Sequence, residues 1–516
     1  MTHKHIPHAS QPRPEASPTT LSGPDAAAGP LRVSAANPRY FSFGSGDAAD
    51  RKAVYLTGSH IWNNFHDGMG PGAECAGQPE QLDYGAYLAF LKQHGHNFIR
   101  LWRWEQFKSQ AAGGGYHLCM TPQPWLRTGP GTAIDGQPQF DLSRFDPAFF
   151  DRLRERVVAA GSQGIYVAVM FFDGWALHLS PAPDNVQGHP FHAANNINGI
   201  GINSIVDYQV LPLDPRVEAL QAAYLRQVVD TLHDLPNVLY EVANESSGGG
   251  SVDREFAEAL GLGEPPEWGD STEWQYWVID VVKRYEAQQG YAQHPMGITM
   301  QFPVADQRRV NDPLYNSAAE WISPGYDDEI FADGGHPMAP GSPGSRWYVN
   351  PPASDGRKVV ITDTDHYAPG QGDALWAWKS FLRGHHPILM DFGLISGLAP
   401  DDPGYQAFEP ARYAMGDTLR YAERMNLIAM APRGDLSSTG YVLANPGAEY
   451  LVLQPSELAE AFTVTLEPGT YTAEWYSVTT RETQAAAGQL TASAEPASFT
   501  ASFAEPGPVV LYLKRA

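Results

Sequence analysis

A chain of 516 residues with 43% hydrophobic and 18% charged side chains has material for a large core and length for several domains. Its formal charge of −24 leaves no broad cationic field for phosphates or anionic lipid, which argues against a nucleic-acid partner. The two cysteines, Cys75 and Cys119, allow one disulfide but no disulfide framework and no Cys-rich zinc site, and no apolar run of about 18 residues offers a membrane span.

Residues 1–36 are rich in Pro, Ser, Ala and His, lack the apolar core of a signal peptide, and read as a disordered leader. The compartment stays open on this reading, either cytoplasmic or secreted with a signal removed. The stretch Leu31–Phe43 reads as a hairpin closing the bottom of the domain that follows.

From residue 53 onward, short apolar runs alternate with amphipathic helical segments. The runs are Ala53–Trp62, Asn97–Trp104, Gly164–Trp175, Asn237–Glu245, Pro295–Phe302, Trp321–Tyr326, Val359–His366 and Pro387–Phe392. Near-continuous apolar character is the mark of strands buried on both faces. Helices are predicted over Arg216–Leu235, Glu273–Gln288 and Glu409–Asn426, the first two from apolar stripes of period 3.6. Returns from helix to strand are short, as at Ser162–Gln163. Connections after strands are long, roughly 103–145, 174–214, 246–270 and 327–357. This asymmetry and the count of eight units predict a (β/α)8 barrel over residues 37–430, with every strand's C-terminal end at one mouth. Beyond it the apolar period drops to two, which predicts an antiparallel β-sandwich domain over residues 431–516.

The strand ends carry the chemistry. Val242-Ala243-Asn244-Glu245 closes the fourth strand and delivers a carboxyl group beside an amide, which suits glycoside cleavage: the acid protonates the departing oxygen and the amide binds a sugar hydroxyl. The seventh strand supplies Thr362-Asp363-Thr364-Asp365-His366. Read as continuous strand, Asp363 and Asp365 point to one side about 6–7 Å apart, with Asp363 at the depth of a nucleophile. Asp365 and His366, further out, would orient it or bind a hydroxyl. The competing reading of these aspartates is an Asx-turn cluster near the next helix.

Leu56–Trp62, Asn97–Trp102, Glu241–Glu245, Val360–His366 and Trp378–Gly384 together resemble the clan of retaining (β/α)8 glycoside hydrolases, in particular the apiosidase-like branch with a C-terminal β-domain. The resemblance implies Glu245 as acid/base, Asn244 as its hydroxyl-binding neighbour, a nucleophile on strand seven, and Arg100 as that nucleophile's support. The clan's strand-seven residue is Glu. Here it is Asp363, a side chain shorter by one methylene, which leaves retention or inversion of configuration open.

The expected sugar pocket is filled by His60, Trp62 and Asn63 from strand one, Trp102, Trp104 and Glu105 from strand two, and Asp173 and Trp175 from strand three. Gln301, Tyr326 and Asp391 come from strands five, six and eight. Glu320 precedes strand six and falls at the wrong end of the barrel, and Glu329 is a weaker alternative carboxylate. No HExxH, phosphate-binding glycine loop or dinucleotide fingerprint has a supporting context, so neither metal nor cofactor is expected. The reading is a glycosidase acting on an oligo- or polysaccharide, exo-acting or side-chain-releasing. A transglycosylase using the same residues, or a carbohydrate-binding barrel of weak turnover, are its alternatives.

Overall fold

The computed structural model describes residues 26–44, 52–71, 81–110, 116–178, 186–251, 268–332, 335–337, 339, 341–367, 372–486, 488–493 and 495–516. The eight apolar runs become strands β1 (Gly58–His60), β2 (Phe98–Leu101), β3 (Tyr166–Asp173), β4 (Val238–Asn244), β5 (Met296–Thr299), β6 (Trp321–Ser323), β7 (Val359–Asp363) and β8 (His386–Met390). They form one sheet in the order β1-β8-β7-β6-β5-β4-β3-β2, every neighbouring pair parallel. The two ends meet through Asn97, whose N–H donates to the Thr57 carbonyl (3.0 Å) and whose side-chain oxygen accepts from the Thr57 N–H (2.9 Å). The barrel is therefore nearly closed. All eight residues of β3 and all seven of β4 are buried, which explains why their sequences do not alternate.

Besides other short one-turn helices, the described residues hold α1 (Tyr84–Gln93), α2 (Pro147–Ser162), α3 (Pro215–Leu232), α4 (Thr272–Gln289), α5 (Asp312–Asn316), α6 (Arg346–Val349), α7 (Ala374–Leu382) and α8 (Glu409–Arg424). Asp146-Pro147 and Asp214-Pro215 start α2 and α3. In each, the carboxylate accepts from an unpaired first-turn N–H, and proline sits where no N–H is needed. Gly290, at φ 70°, ends α4 in the left-handed conformation that suits glycine. Among the described residues no helix is long and apolar enough to cross a membrane.

At the bottom, Arg32–Val33 pairs antiparallel with Phe41–Ser42. Leu31 and Phe41 join Val54, Leu56, Phe98, Leu239, Trp321 and Val359 in one apolar cluster. Residues 26–34 are thus buried or half-buried, although the sequence reading places them in a disordered leader. Ala27 donates to the Gly161 carbonyl and the Tyr166 hydroxyl to the Ala28 carbonyl (2.7 Å), because these residues cover the apolar end of the barrel. Residues 1–25 lie outside the described residues.

The long connection after β2 is not plain loop. It contributes Ser109–Gln110 and Tyr116–Thr121 to a three-stranded sheet with Asp67–Pro71, then a hairpin of Trp125–Thr132 with Pro138–Phe145. Cys119 is disulfide-bonded, and Cys75, the only other cysteine, lies outside the described residues.

Beyond α8 come β9 (Ala431–Pro432), β10 (Val442–Asn445), β11 (Glu449–Gln454), β12 (Phe462–Val464), β13 (Gly469–Ser477), β14 (Thr483–Ala485), β15 (Leu490–Ala492), β16 (Ala497–Phe499) and β17 (Val509–Arg515). Seven form an antiparallel sheet, β9-β10-β11-β17-β13-β14 with β15 also on β13, and β12 pairs with β16 in a second. Alternation divides the large sheet. Val442, Tyr450, Val452 and Leu511 pack toward β12, while Leu443, Leu451, Val510 and Tyr512 belong to the core shared with the barrel.

Candidate active site

Arg100, inside the barrel on β2, is fully buried and organises the mouth. Its Nε donates to Glu241 Oε2 (2.9 Å), its Nη2 to Glu241 Oε1 (2.5 Å) and Asn244 Oδ1 (2.8 Å), and its Nη1 to Asp363 Oδ2 (2.9 Å). Burial would lower its pKa, but Glu241, Asp363 and Asp365 raise it further, so the guanidinium stays charged. Asn64 fixes the backbone around it, donating to the Arg100 carbonyl (2.6 Å) and accepting from the Trp102 N–H (2.8 Å).

Asp363 ends β7 with no exposed surface. Its Oδ2 lies 2.7 Å from His60 Nε2 and also takes the Arg100 bond, while Oδ1 accepts from the Asp365 N–H (3.0 Å). Burial pushes this carboxyl up, but His60 and Arg100 outweigh it and hold the group below the ordinary carboxylate range.

Here the structure corrects the sequence reading of strand seven. The strand stops at Asp363, and Thr364–His366 form a single 3-10 turn capped by the Asp363 side chain. The shared parity of Asp363 and Asp365 required a strand that continues. Instead the turn carries Asp365 toward Glu245, and Asp373 separately caps α7.

Glu245, Asp365 and His366 each place one candidate ligand atom within 4.8 Å of the others. Among the described residues this is the set close enough to share a cation. Without one, two carboxyl groups so near do not both ionise readily. Burial and Asp363 push Asp365 up to about 7, against the pull of Arg100 at 3.9 Å. Burial, then Asp365 and Asp173, push Glu245 well above the usual range. Both carboxyl groups are therefore held above the ordinary carboxylate range. Burial lowers His366 to about 3, so its ring is neutral, with Nδ1 2.9 Å from Ser323 Oγ and Nε2 3.5 Å from Asn244 Oδ1.

An aromatic wall stands beside the carboxylates. Trp102 stacks at 6.3 Å on His60 and lies under Arg100 at 5.0 Å. Trp62 meets Phe392 edge-on at 5.4 Å and Trp104 at 6.4 Å, and Trp104 meets Trp175 at 6.4 Å. Trp62, Asn63, Trp175 and Phe392 remain half-buried.

Asp173, at the end of β3, is buried and pushed up by burial and by Glu105. Tyr326 lies close enough to Glu245 for its phenol to be raised by that charge in addition to burial. Three expected residues have their hydrogen bonds spent on protein. Glu105 accepts from the Asp173 N–H (2.8 Å) and the Tyr208 hydroxyl (2.7 Å), and Asp391 takes a double bond from buried Arg412 (2.6 and 2.8 Å). The Gln301 amide reaches Thr272 (3.0 Å) and Ser271 (3.2 Å) at the start of α4. Glu320 lies at the bottom, accepting from the Met296 N–H (2.8 Å). The sequence reading missed Glu241, although an acidic residue inside an apolar strand was a visible signal. It also missed Phe392, the first aromatic after β8.

No family model matches the chain, and no curated protein does. Among solved structures, a glycoside hydrolase aligns over 95% of this chain and 97% of its own, at 13% identity and a TM-score of 0.56. A family 5 glycoside hydrolase from Bacteroides vulgatus aligns over 94% of both chains, at 14% identity and a TM-score of 0.54. At these identities the likeness is one of fold, and it extends over barrel and β-domain together. Neither match singles out the apiosidase-like branch.

Proposed function

We propose that this protein is a retaining glycoside hydrolase in which Glu245 is the acid/base and Asp365 the nucleophile. The observation that carries the reading is the approach of Glu245 and Asp365 to within 4.8 Å across the barrel mouth, with both carboxyl groups raised by burial. A retaining pair stands about 5–5.5 Å apart, whereas an inverting pair needs about 6.5–9.5 Å to admit water between them. Asp363, favoured by its place in the chain, has its oxygens engaged by His60, Arg100 and the Asp365 N–H, and suits the role of holding Arg100 and the turn.

In the first step an Asp365 carboxylate oxygen attacks the anomeric carbon while Glu245 gives its proton to the departing oxygen. In the second, Glu245 takes a proton from water, whose oxygen attacks the same carbon and releases Asp365. Asn244 has its carbonyl oxygen held by Arg100, which leaves its NH2 to donate to a neighbouring sugar hydroxyl. The half-buried rings of Trp62, Trp175 and Phe392 suit the CH face of a sugar. With Arg100 spent on protein carboxylates in an acidic mouth, a neutral glycoside fits better than an anionic one. The long loops after the strands favour exo or side-chain-releasing action, and the motif resemblance suggests plant-type polysaccharides or pentose-containing glycosides.

A 2-fluoro glycoside of an accepted sugar, followed by peptide mass mapping, tests the assignment. A label on Asp365 is expected. A label on Asp363 would restore the positional reading, and inverted product configuration by NMR would remove the nucleophile altogether.

A further inference from the structure

Glu245 is a non-glycine residue at φ 41°, a left-handed conformation that residues with a side chain rarely adopt, and the residue is only 8% exposed. Such a backbone persists where its surroundings hold it. The peptide groups around it are pinned from the end of β3 and the one-turn helix Trp175–His178. The Gly174 N–H donates to the Asn244 carbonyl (2.8 Å), and His178 Nε2 lies 2.7 Å from the Glu245 carbonyl oxygen. Gly174 is required by this approach, since a Cβ there would sit 2.5 Å from Ser246 Cα and 2.8 Å from the Glu245 oxygen.

The chemistry of His178 fixes its direction. A carbonyl oxygen only accepts, so Nε2 must carry the hydrogen, and burial lowers the ring to about 4, leaving it neutral. Nδ1 is buried without a hydrogen-bond partner, and Trp268 closes against the ring at 5.5 Å. A buried imidazole that spends its single N–H on one carbonyl is a clamp on that carbonyl.

We infer that His178 is a positioning residue for the acid: by holding the Glu245 carbonyl it keeps the turn left-handed and aims the carboxyl group across the mouth at Asp365. The inference rests on the proposed role of Glu245. Without the clamp the peptide is free to relax to negative φ, which swings the carboxyl away from the departing oxygen.

His178→Phe, which fills the space without donating, and His178→Gln, which returns an amide donor, separate positioning from packing. On aryl glycosides of graded leaving ability, His178→Phe is expected to lower kcat about 10- to 100-fold for the poorest leaving groups, with KM little changed. The best leaving groups should lose under about 3-fold, because they need no proton, and His178→Gln should recover most of the loss. A crystal structure of His178→Phe should show Glu245 at negative φ with its carboxyl displaced. Equal loss on all substrates, a Gln variant no better than Phe, or an unmoved Glu245 would each overturn the inference. A wild-type protein that turned over no glycoside would sink the role given to Glu245, and the crystal structure alone would then decide whether His178 fixes its carboxyl.

Discussion

On the proposed roles, two carboxyl groups in one mouth divide their labour by what surrounds them. Burial and Asp363 push Asp365 up to about 7 against the pull of Arg100, and burial with Asp365 and Asp173 pushes Glu245 well above the usual range. In those roles Asp365 must be ionised to attack, so kcat/KM should rise with pH through about 7. A pH–rate profile with both limbs below 6 would contradict this. Asp363→Asn removes the charge that raises Asp365, so the rising limb should move to lower pH while measurable turnover remains. Asp365→Asn should cost several orders of magnitude at every pH. Complete loss in the Asp363 variant with activity surviving in the Asp365 variant would reverse the two roles. Glu245→Gln should spare substrates with good leaving groups, and added azide should partly restore it. The sequence brought Glu245, Asn244, Arg100 and His60 to one mouth because each sits at or beside a strand end, where position along the chain translates directly into depth. It could not separate Asp363 from Asp365, because that depends on where one strand stops, and Asp363 itself ends the strand by capping the turn.

At the level of elements, local rules carried far. The Asp-Pro starts of α2 and α3 and the unbroken apolar character of β3 and β4 follow from caps and burial that act over a few residues. Pairings between elements were out of reach for the same reason. Asp391 leaves β8 at the mouth and looks like a sugar ligand, yet Arg412 of α8 reaches it with two bonds and also takes Glu409 at 2.8 Å. Arg412 has no exposed surface, so this pair staples α8 to the barrel. Asp391→Ala leaves a guanidinium buried and half-satisfied, and should destabilise the fold by about 3–5 kcal/mol. Urea unfolding measures that loss, and assays well below the melting point should find kcat nearly intact. A variant of normal stability that had lost KM or kcat would return Asp391 to the sugar site.

For the whole molecule, the question is what the β-domain does for the barrel. Its large sheet presents Leu443, Leu451, Val510 and Tyr512 to α7 and α8, where Trp378 meets Tyr476 at 5.4 Å and Tyr421 meets Tyr512 at 6.1 Å. Charged groups ring this apolar seam. Arg424 grips Glu474 with two bonds (2.7 and 3.0 Å), and Asp417 accepts from Tyr476 (2.5 Å) and Arg481 (2.8 Å). Both arginines are partly exposed, so each ion pair should contribute no more than about 1 kcal/mol, and Glu474→Ala should shift Tm only slightly. The apolar seam is different in kind: at about 25 cal/mol per Å² it dominates the interface, and stripping it bare leaves a large apolar patch in water. Deleting residues 431–516 should therefore yield a barrel that aggregates or melts far below the full chain. Glu474→Ala and the deletion, compared by calorimetry and light scattering, separate the two contributions. The carboxylates described at the mouth all belong to the barrel, so any truncated protein that stays folded should keep its kcat on small aryl glycosides. A truncation that was soluble and fully stable but catalytically dead would place part of the chemistry in the β-domain.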